Sequence, residues 1–526
     1  MYRPHLSLPL LAATGAAALA VGCGGSSSGA ADADPAAVVP ANAPLYVEAA
    51  VKPDGETSDE IKALSKKLAG IDDPGAELKK RFEQSVNEDG GPKFSWKDDI
   101  DPWVGDRVGF FLSSFDAAAG DGEGALVAAT SDADKAKKTL EKALAEKDEG
   151  DPAPKIADRK QGDVSYKVDT TDDTAVAIVD DYAVIGTEGG VKAAIDASAG
   201  EGLEQADAFA KARDQVEDEA LGFAFIRFEQ LLAAAGPQAA ALKPFLGQFG
   251  ESMVVALDTE SDAIQVETAQ LGVKGNAAGG NGDPGAVLPT LPGDAWAAVG
   301  VKDIGAQIEQ GLKQVQQLGA FGGFDLDEVL GQVEQAFGID VQRDLIAWMG
   351  DAGVFAQGTD LSNIGGALVV QSKDPAATKA VLPKLQKFIT QATQGQARVR
   401  KLDAPGVDAG FTVRSEQVPL PIHVAAAGDK FVVALTDTAL ESALEPSGTL
   451  ADSAAYKDAA SKLDDGIKPA AFINVAPVAS LIEGLGAGSD PDVAKVLEVM
   501  KKLSTITAGS QKEGDIVRGR AVVGVK

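Results

Sequence analysis

Short apolar runs of strand length recur along the chain, separated by stretches in which apolar residues return every three or four positions. The runs include Leu45 to Val51, Val108 to Leu112, Ala125 to Ala129, Ala175 to Val179, Tyr182 to Gly186, Phe223 to Phe228, Met253 to Leu257 and Ala263 to Thr268. Two-residue polar turns, Asp180-Asp181 and Gly428-Asp429, join neighbouring runs and predict antiparallel hairpins. Ile61, Leu64 and Leu68 predict an amphipathic helix capped by Ser58. Ile304, Ile308, Leu312 and Val315 predict another. Leu326, Val329, Leu330, Val333 and Phe337 predict a third, stopped by Gly338, where a left-handed C-cap suits glycine. Irregular alternation of such elements defines an α+β class, with helices packed on one face of a mainly antiparallel sheet.

The pattern occurs twice. Asp99-Ile100-Asp101-Pro102-Trp103-Val104-Gly105-Asp106-Arg107-Val108-Gly109-Phe110-Phe111 returns as Arg343-Asp344-Leu345-Ile346-Ala347-Trp348-Met349-Gly350-Asp351-Ala352-Gly353-Val354-Phe355. Ala125-Leu126-Val127 matches Ala367-Leu368-Val369, Tyr182 to Ile185 matches Phe431 to Ala434, and Phe225-Ile226-Arg227 matches Phe472-Ile473-Asn474. The openings Pro40 to Val47 and Pro289 to Ala297 also correspond. Matches in one order at near-constant spacing mean a tandem duplication, which predicts two self-contained domains, residues 38–274 and 286–526. A Gly-rich linker, residues 275–285, joins them.

The first residues follow a different rule. A basic start at Arg3, an apolar run from Leu6 to Ala20 and small residues before Cys23 have the layout of a secretory signal. Cys23, the sole cysteine, opens a Gly/Ser stretch. The arrangement resembles a bacterial lipoprotein signal, in which residues 1–22 are removed and the new N-terminal cysteine carries lipid. More than one acyl chain on that residue gives stable anchoring. Residues 23–37 then form a flexible tether of roughly 20 Å mean reach. The expected location is extracytoplasmic, on a cell membrane.

Charge narrows the partners. The formal net charge is −31, and loss of one arginine with the signal makes it −32. Nucleic acid requires a basic footprint, and the Lys and Arg here are interspersed with acids, so no nucleic-acid partner is expected. The acidity is read as a solvated, self-repelling surface. Acidic groupings at Asp169 with Asp172 and Asp173, at Asp98-Asp99-Ile100-Asp101, and at Asp325 with Asp327 lack the spacing, central glycine and terminal glutamate of a calcium loop, so no metal and no cofactor are expected. With no second cysteine, disulfides are excluded.

Catalytic constellations are equally scarce. Of two histidines, His5 leaves with the signal and His423 sits in a strand pattern without zinc-type spacing. No Gly-x-Ser-x-Gly elbow is present. Glycoside hydrolysis needs only two carboxylates, which leaves a carboxylate-dependent hydrolase of envelope polysaccharide as the competing class, with a transport-associated solute receptor as another alternative. The leading expectation is a non-enzymatic binding or scaffolding protein whose partner is an apolar ligand or an envelope protein.

The most distinctive element is Asp101-Pro102-Trp103-Val104-Gly105-Asp106, echoed by Ala347-Trp348-Met349-Gly350-Asp351. As a ligand site it would offer an aromatic platform beside a carboxylate. As a structural element, Trp103 and Trp348 fill the core, Gly105 and Gly350 permit a tight turn, and Asp106 and Asp351 bond turn amides. Recurrence in both copies favours the structural role. Tyr46 and Trp296 are read the same way, and Trp96, unmatched in the other copy, as the exposed aromatic. The box, with the opening Val38-Val39-Pro40-Ala41-Asn42-Ala43-Pro44-Leu45-Tyr46, resembles the bacterial DUF3352 family. That resemblance implies an exported, envelope-linked setting and assigns no catalytic residues.

Overall fold

The computed structural model describes residues 33–87, 94–116, 120–145, 153–217, 220–234, 247–274, 283–322, 326–360, 363–394, 396–416, 420–464, 466–486 and 490–526. Cys23, the signal and most of both the tether and the linker lie outside them. The chain divides into two compact units, residues 1–275 with 514–518, and residues 276–513 with 519–526. The first unit thus takes a short segment from the far end of the chain, which collinear repetition did not suggest.

The first unit contains β1 (Leu45–Ala50), α1 (Gly55–Ala69), α2 (Pro74–Asn87), β2 (Val104–Asp116), β3 (Asp121–Thr130), α3 (Ala133–Leu144), β4 (Ile156–Gln161), β5 (Val164–Asp169), β6 (Thr174–Val179) and β7 (Tyr182–Thr187). There follow α4 (Glu188–Ala199), α5 (Asp207–Arg213), β8 (Gly222–Arg227), α6 (Phe228–Ala234), β9 (Ser252–Glu260) and β10 (Ala263–Leu271). Its strands pair antiparallel in the order β10-β9-β8-β1-β2-β3-β7-β6-β5-β4.

The second unit contains β11 (Ala297–Val301), α7 (Ile304–Gly322), α8 (Leu326–Phe337), β12 (Met349–Gln357), β13 (Gly365–Ser372), α9 (Pro375–Ala392), β14 (Ala397–Lys401), β15 (Ala409–Ser415), β16 (Ile422–Ala427) and β17 (Lys430–Leu435). It continues with α10 (Asp437–Leu444), α11 (Ala454–Ser461), β18 (Pro469–Asn474), α12 (Val475–Gly484), α13 (Pro491–Met500) and β19 (Leu503–Glu513). The final strand, β20 (Ile516–Val525), is divided between the units. The order β19-β18-β11-β12-β13-β17-β16-β15-β14, again antiparallel, repeats the nine first-unit strands from β9 to β4.

The α+β class and the antiparallel pairing follow from the run lengths and tight turns. The covering is two-sided rather than one-sided. Ala175, Val176 and Ala177 are 0, 4 and 5 % exposed in succession, and a strand that is apolar on both sides must be buried from both. One face packs against Val191, Ala194 and Ile195 of α4. The other packs against Ala136 and Leu140 of α3. The second unit does the same with Leu440 and Ala443 of α10 on one face and Val381 and Leu382 of α9 on the other.

Two local expectations shift by a few residues. Helix α1 begins at Gly55 after Asp54, so Ser58 lies inside it, buried, and is not its cap. Gly186 pairs with Ala125, and Ala434 with Ala367, so the counterpart of Ala434 is Gly186, one place beyond the Ile185 that sequence matching gives. The extra residue of the second unit falls at the joint before α10, where Thr436 adopts φ +90°. Both joints are still capped by threonine: Thr187 accepts from the Gly190 N–H and Thr436 from the Ala439 N–H. Gly338, at φ +69°, ends α8 with its N–H bonded to the Glu334 carbonyl at 2.8 Å, a left-handed stop that glycine adopts without strain.

Candidate functional site

In each unit the Trp-x-Gly-Asp box closes a π-helical turn and opens a strand. The turn Trp96–Ile100 is capped by Ser95, and the turn Val341–Ile346 by Asp340. Trp103 is 6 % exposed and Trp348 2 %. Each indole N–H donates to the carbonyl of the residue four earlier, Asp99 and Asp344, and Trp103 also reaches Thr139 Oγ1 on α3 at 3.2 Å. Trp348 stacks at an angle on Phe431, with ring centroids 5.2 Å apart.

The rest of each box lies in a strand irregularity. Pairing skips between Val104 and Val108 on β2 and between Met349 and Ala352 on β12, the local twist expected of a bulge. Gly105 is buried in that segment. A Cβ on Gly350 would stand 2.8 Å from the Gln371 carbonyl. The Asp106 carbonyl accepts from Val51 and Lys52 N–H. The Asp351 carboxylate accepts from the N–H groups of Ala286 at 2.7 Å and Asp303 at 3.0 Å. Asp351 thus holds neighbouring backbone through its carboxylate and Asp106 through its main-chain carbonyl, and both indoles are buried.

Sequence reading passed over the partners that make the box rigid. The Asp99 carboxylate accepts from the Ser95 N–H at 2.9 Å and from Lys142 of α3 at 3.0 Å. Asp344 repeats this with the Asp340 N–H at 3.0 Å and Lys384 of α9, and adds Arg343. The signal was present as an aspartate four places before each tryptophan. Hydrogen bonds from Arg343 and Lys384 hold the Asp344 carboxyl well below the usual carboxylate range. Burial works to raise Asp99, and the Ser95 N–H and Lys142 outweigh it, so that it too is lowered.

A folded value below the unfolded value of ~3.9 means that stability from Asp344 is fully present above that pH and is lost as pH falls through the depressed value. Asp344→Asn is expected to cost about 1–2 kcal/mol at neutral pH, with the gap to the parent closing in urea melts taken below ~pH 3. An equal gap at all pH values would contradict this role.

Other expected residues fall as follows. Trp96 is buried, not exposed: at 5 % exposure it meets Phe82 of α2 edge-on, centroids 5.6 Å apart, because it begins the π turn against that helix. The Trp296 indole N–H donates to the Gly358 carbonyl at 2.8 Å. Tyr46 is fully buried, and its hydroxyl donates to Glu48 at 2.6 Å. Asp169 accepts from the N–H groups of Lys155 and Thr171, a turn role. Asp325 lies outside the described residues. Among the described residues no group of three or more His, Cys, Asp or Glu is placed to hold a metal, and no helix is long and apolar enough to cross a membrane.

An apolar surface that departs from ordinary burial lies in the second unit. Two adjacent rows cross one face of its sheet. Ala471, Val299, Val354, Leu368 and Val433 form one, and Ile473, Ala297, Ala356, Gly366 and Leu435 the other. Within these rows Val299 is 47 %, Val354 51 % and Leu435 41 % exposed. Helices α7 and α8 bring apolar stripes to the same unit. Ile308, Leu312, Leu330 and Val333 are only half-buried, and Val315 and Val329 are exposed. Phe337 finds Phe388 of α9, centroids 4.7 Å apart.

The described residues form a duplicated α+β fold with tryptophan-sealed turns and, in the second unit, an apolar sheet face with exposed valines. The chain belongs to the family described as a protein of unknown function, DUF3352, whose pattern it matches over residues 6–518. No curated protein matches the sequence. Among solved structures, crystal form I of TP0453 is similar at 10 % identity over 47 % of this chain and 82 % of that one, TM-score 0.25. Crystal form III of the same protein gives 12 % identity over 47 % and 83 %, TM-score 0.24.

Proposed function

We propose that the protein is a non-catalytic binding or scaffolding lipoprotein of the cell envelope, held outside the cytoplasm by acyl chains on Cys23. In this reading the second unit presents its apolar sheet face to a lipid-like ligand or to the apolar surface of an envelope protein. The observation that carries it is the cross-strand pair Val299 and Val354, each about half exposed at the middle of paired strands. Contiguous open apolar surface of that kind marks an interaction site. The tether and the duplication fit a protein that holds a binding surface away from a membrane.

Intact-mass and native mass spectrometry of the protein purified from its own membranes test this. Acyl mass on Cys23 together with a co-purifying apolar molecule or protein is the expected result. Val299→Lys with Val354→Lys should reduce its retention by about tenfold or more, since each buried valine contributes about 1.5 kcal/mol or more. An unmodified secreted chain would overturn the anchor. Retention unchanged in the double variant would overturn the binding face.

A further inference from the structure

On the other face of the second sheet, one row runs Phe472, Ala298, Phe355, Ala367, Ala434, His423, Thr412 and Arg400 across seven strand pairings. It is apolar core until His423, then polar, then cationic at the edge. Two places along, Arg398 and Arg414 stand directly opposite each other on β14 and β15. The corresponding row of the first unit is Phe225, Tyr46, Phe111, Ala125, Gly186, Ala175, Val168 and Ala157. Matching the rows position by position, His423 replaces Ala175, Thr412 replaces Val168 and Arg400 replaces Ala157. In the first unit α4, twelve residues long, reaches across to β4 and closes this face. In the second, α10 has eight residues, and an open cleft of about 1010 Å³ remains over β14 and β15.

The cleft has the chemistry of an anion site. Arg398, Arg400 and Arg414 are exposed and make no ion pair among the described residues. Like charges directly opposite on a ladder repel, so Arg398 facing Arg414 is unfavourable until an anion lies between them. Arginine forks suit phosphate and carboxylate oxygens by geometry as well as charge. His423 forms the floor at 2 % exposure, with Nδ1 3.0 Å from Thr412 Oγ1. Its Nε2 has no hydrogen bond; Asp437 Oδ1 lies 3.2 Å away but off the line an N–H requires. Burial lowers the imidazole pKa, opposed by Asp437 and aided by Arg414. Asp403, Glu416 and Asp437 also line the cleft.

We infer that this edge of the second unit is a binding site for a single phosphate-type anion, free or as the headgroup of a lipid, held by Arg398, Arg400 and Arg414 over His423. The site lies on the sheet face opposite the apolar rows and stands independently of them. The full chain carrying Cys23→Ser, which removes any acyl contribution, is titrated calorimetrically with inorganic phosphate and, separately, with dihexanoyl phosphatidylglycerol. The His423 ring resonances are followed by NMR.

Saturable binding of either probe with movement of the His423 signals is expected. Arg398→Gln with Arg414→Gln should weaken it by at least about tenfold, the loss of charge-assisted hydrogen bonds, while Arg159→Gln on β4 leaves it unchanged. Phosphate binding identifies the ion itself as sufficient, and binding of the lipid alone identifies a headgroup. No saturable binding of either probe, a still His423 signal, or equal binding by the double variant would overturn the site.

Discussion

Replacing Trp348 by alanine should lower the stability of the second unit by about 3–5 kcal/mol, the range for emptying a large aromatic from a core. The indole is 2 % exposed and shares a cluster with Val370, Val381, Phe411 and Phe431. Its N–H is the bond that ties the strand opening to the Asp344 carbonyl in the preceding turn, so the substitution removes packing and a hydrogen bond together. Because the chain holds two units, a single transition is not assumed, and hydrogen exchange resolved by segment is the suitable readout. Amides of β12, β13 and β17 should lose protection while those of β2, β3 and β7 keep theirs. A loss below about 1 kcal/mol would mean that the tryptophan is not a core anchor and would reopen its reading as a ligand platform.

Arg107→Met should cost the first unit about 3–5 kcal/mol, because it strands a buried carboxylate. Glu48 is 2 % exposed on β1 and is held by the Arg107 guanidinium and the Tyr46 hydroxyl. Arg107 also donates to the Ala220 carbonyl at 2.9 Å. Tyr46 cannot replace the lost charge. Burial, then the Glu48 charge, pushes its phenol well above its ordinary value, so it stays a neutral donor. Glu48→Gln added to Arg107→Met should recover a large part of the loss, since an amide needs hydrogen bonds but no counter-charge. Denaturant melts of the two single variants and the double one measure the coupling. Additive losses would show that the pair is not a coupled buried unit.

How much of this was legible depended on whether the signal was local. The strand runs, their antiparallel turns and the repeated box are local, and the α+β class with two homologous units follows from them. Trp103 and Trp348 announced themselves by recurrence. Trp96 misled because it lacks a counterpart, yet burial was decided by Phe82, which approaches from another helix. The match of Tyr182 with Phe431 went astray by one place because aromatic likeness outweighed facing direction, which only pairing with Ala125 and Ala367 fixes. The cationic cleft was the hardest to see. Arg398 and Arg400 are separated from Arg414 by a hairpin, and from His423 by another strand. In an acidic chain with interspersed basic residues, only the cross-strand register reveals that they share a face.

The last structural feature bears on how the chain is made. The first unit includes residues 514–518. The Val273 N–H bonds the Asp515 carbonyl at 2.8 Å, and Arg518 donates to Gln215 at 2.9 Å. These contacts wait for nearly the whole polypeptide. At synthesis rates of ~5–20 residues per second, roughly 12–50 s separate Val273 from Asp515. Through that interval the nascent first unit lacks these closing contacts at its boundary. A truncation that removes residues 514–518 would therefore damage the amino-terminal half of the protein, the part farthest from it in sequence.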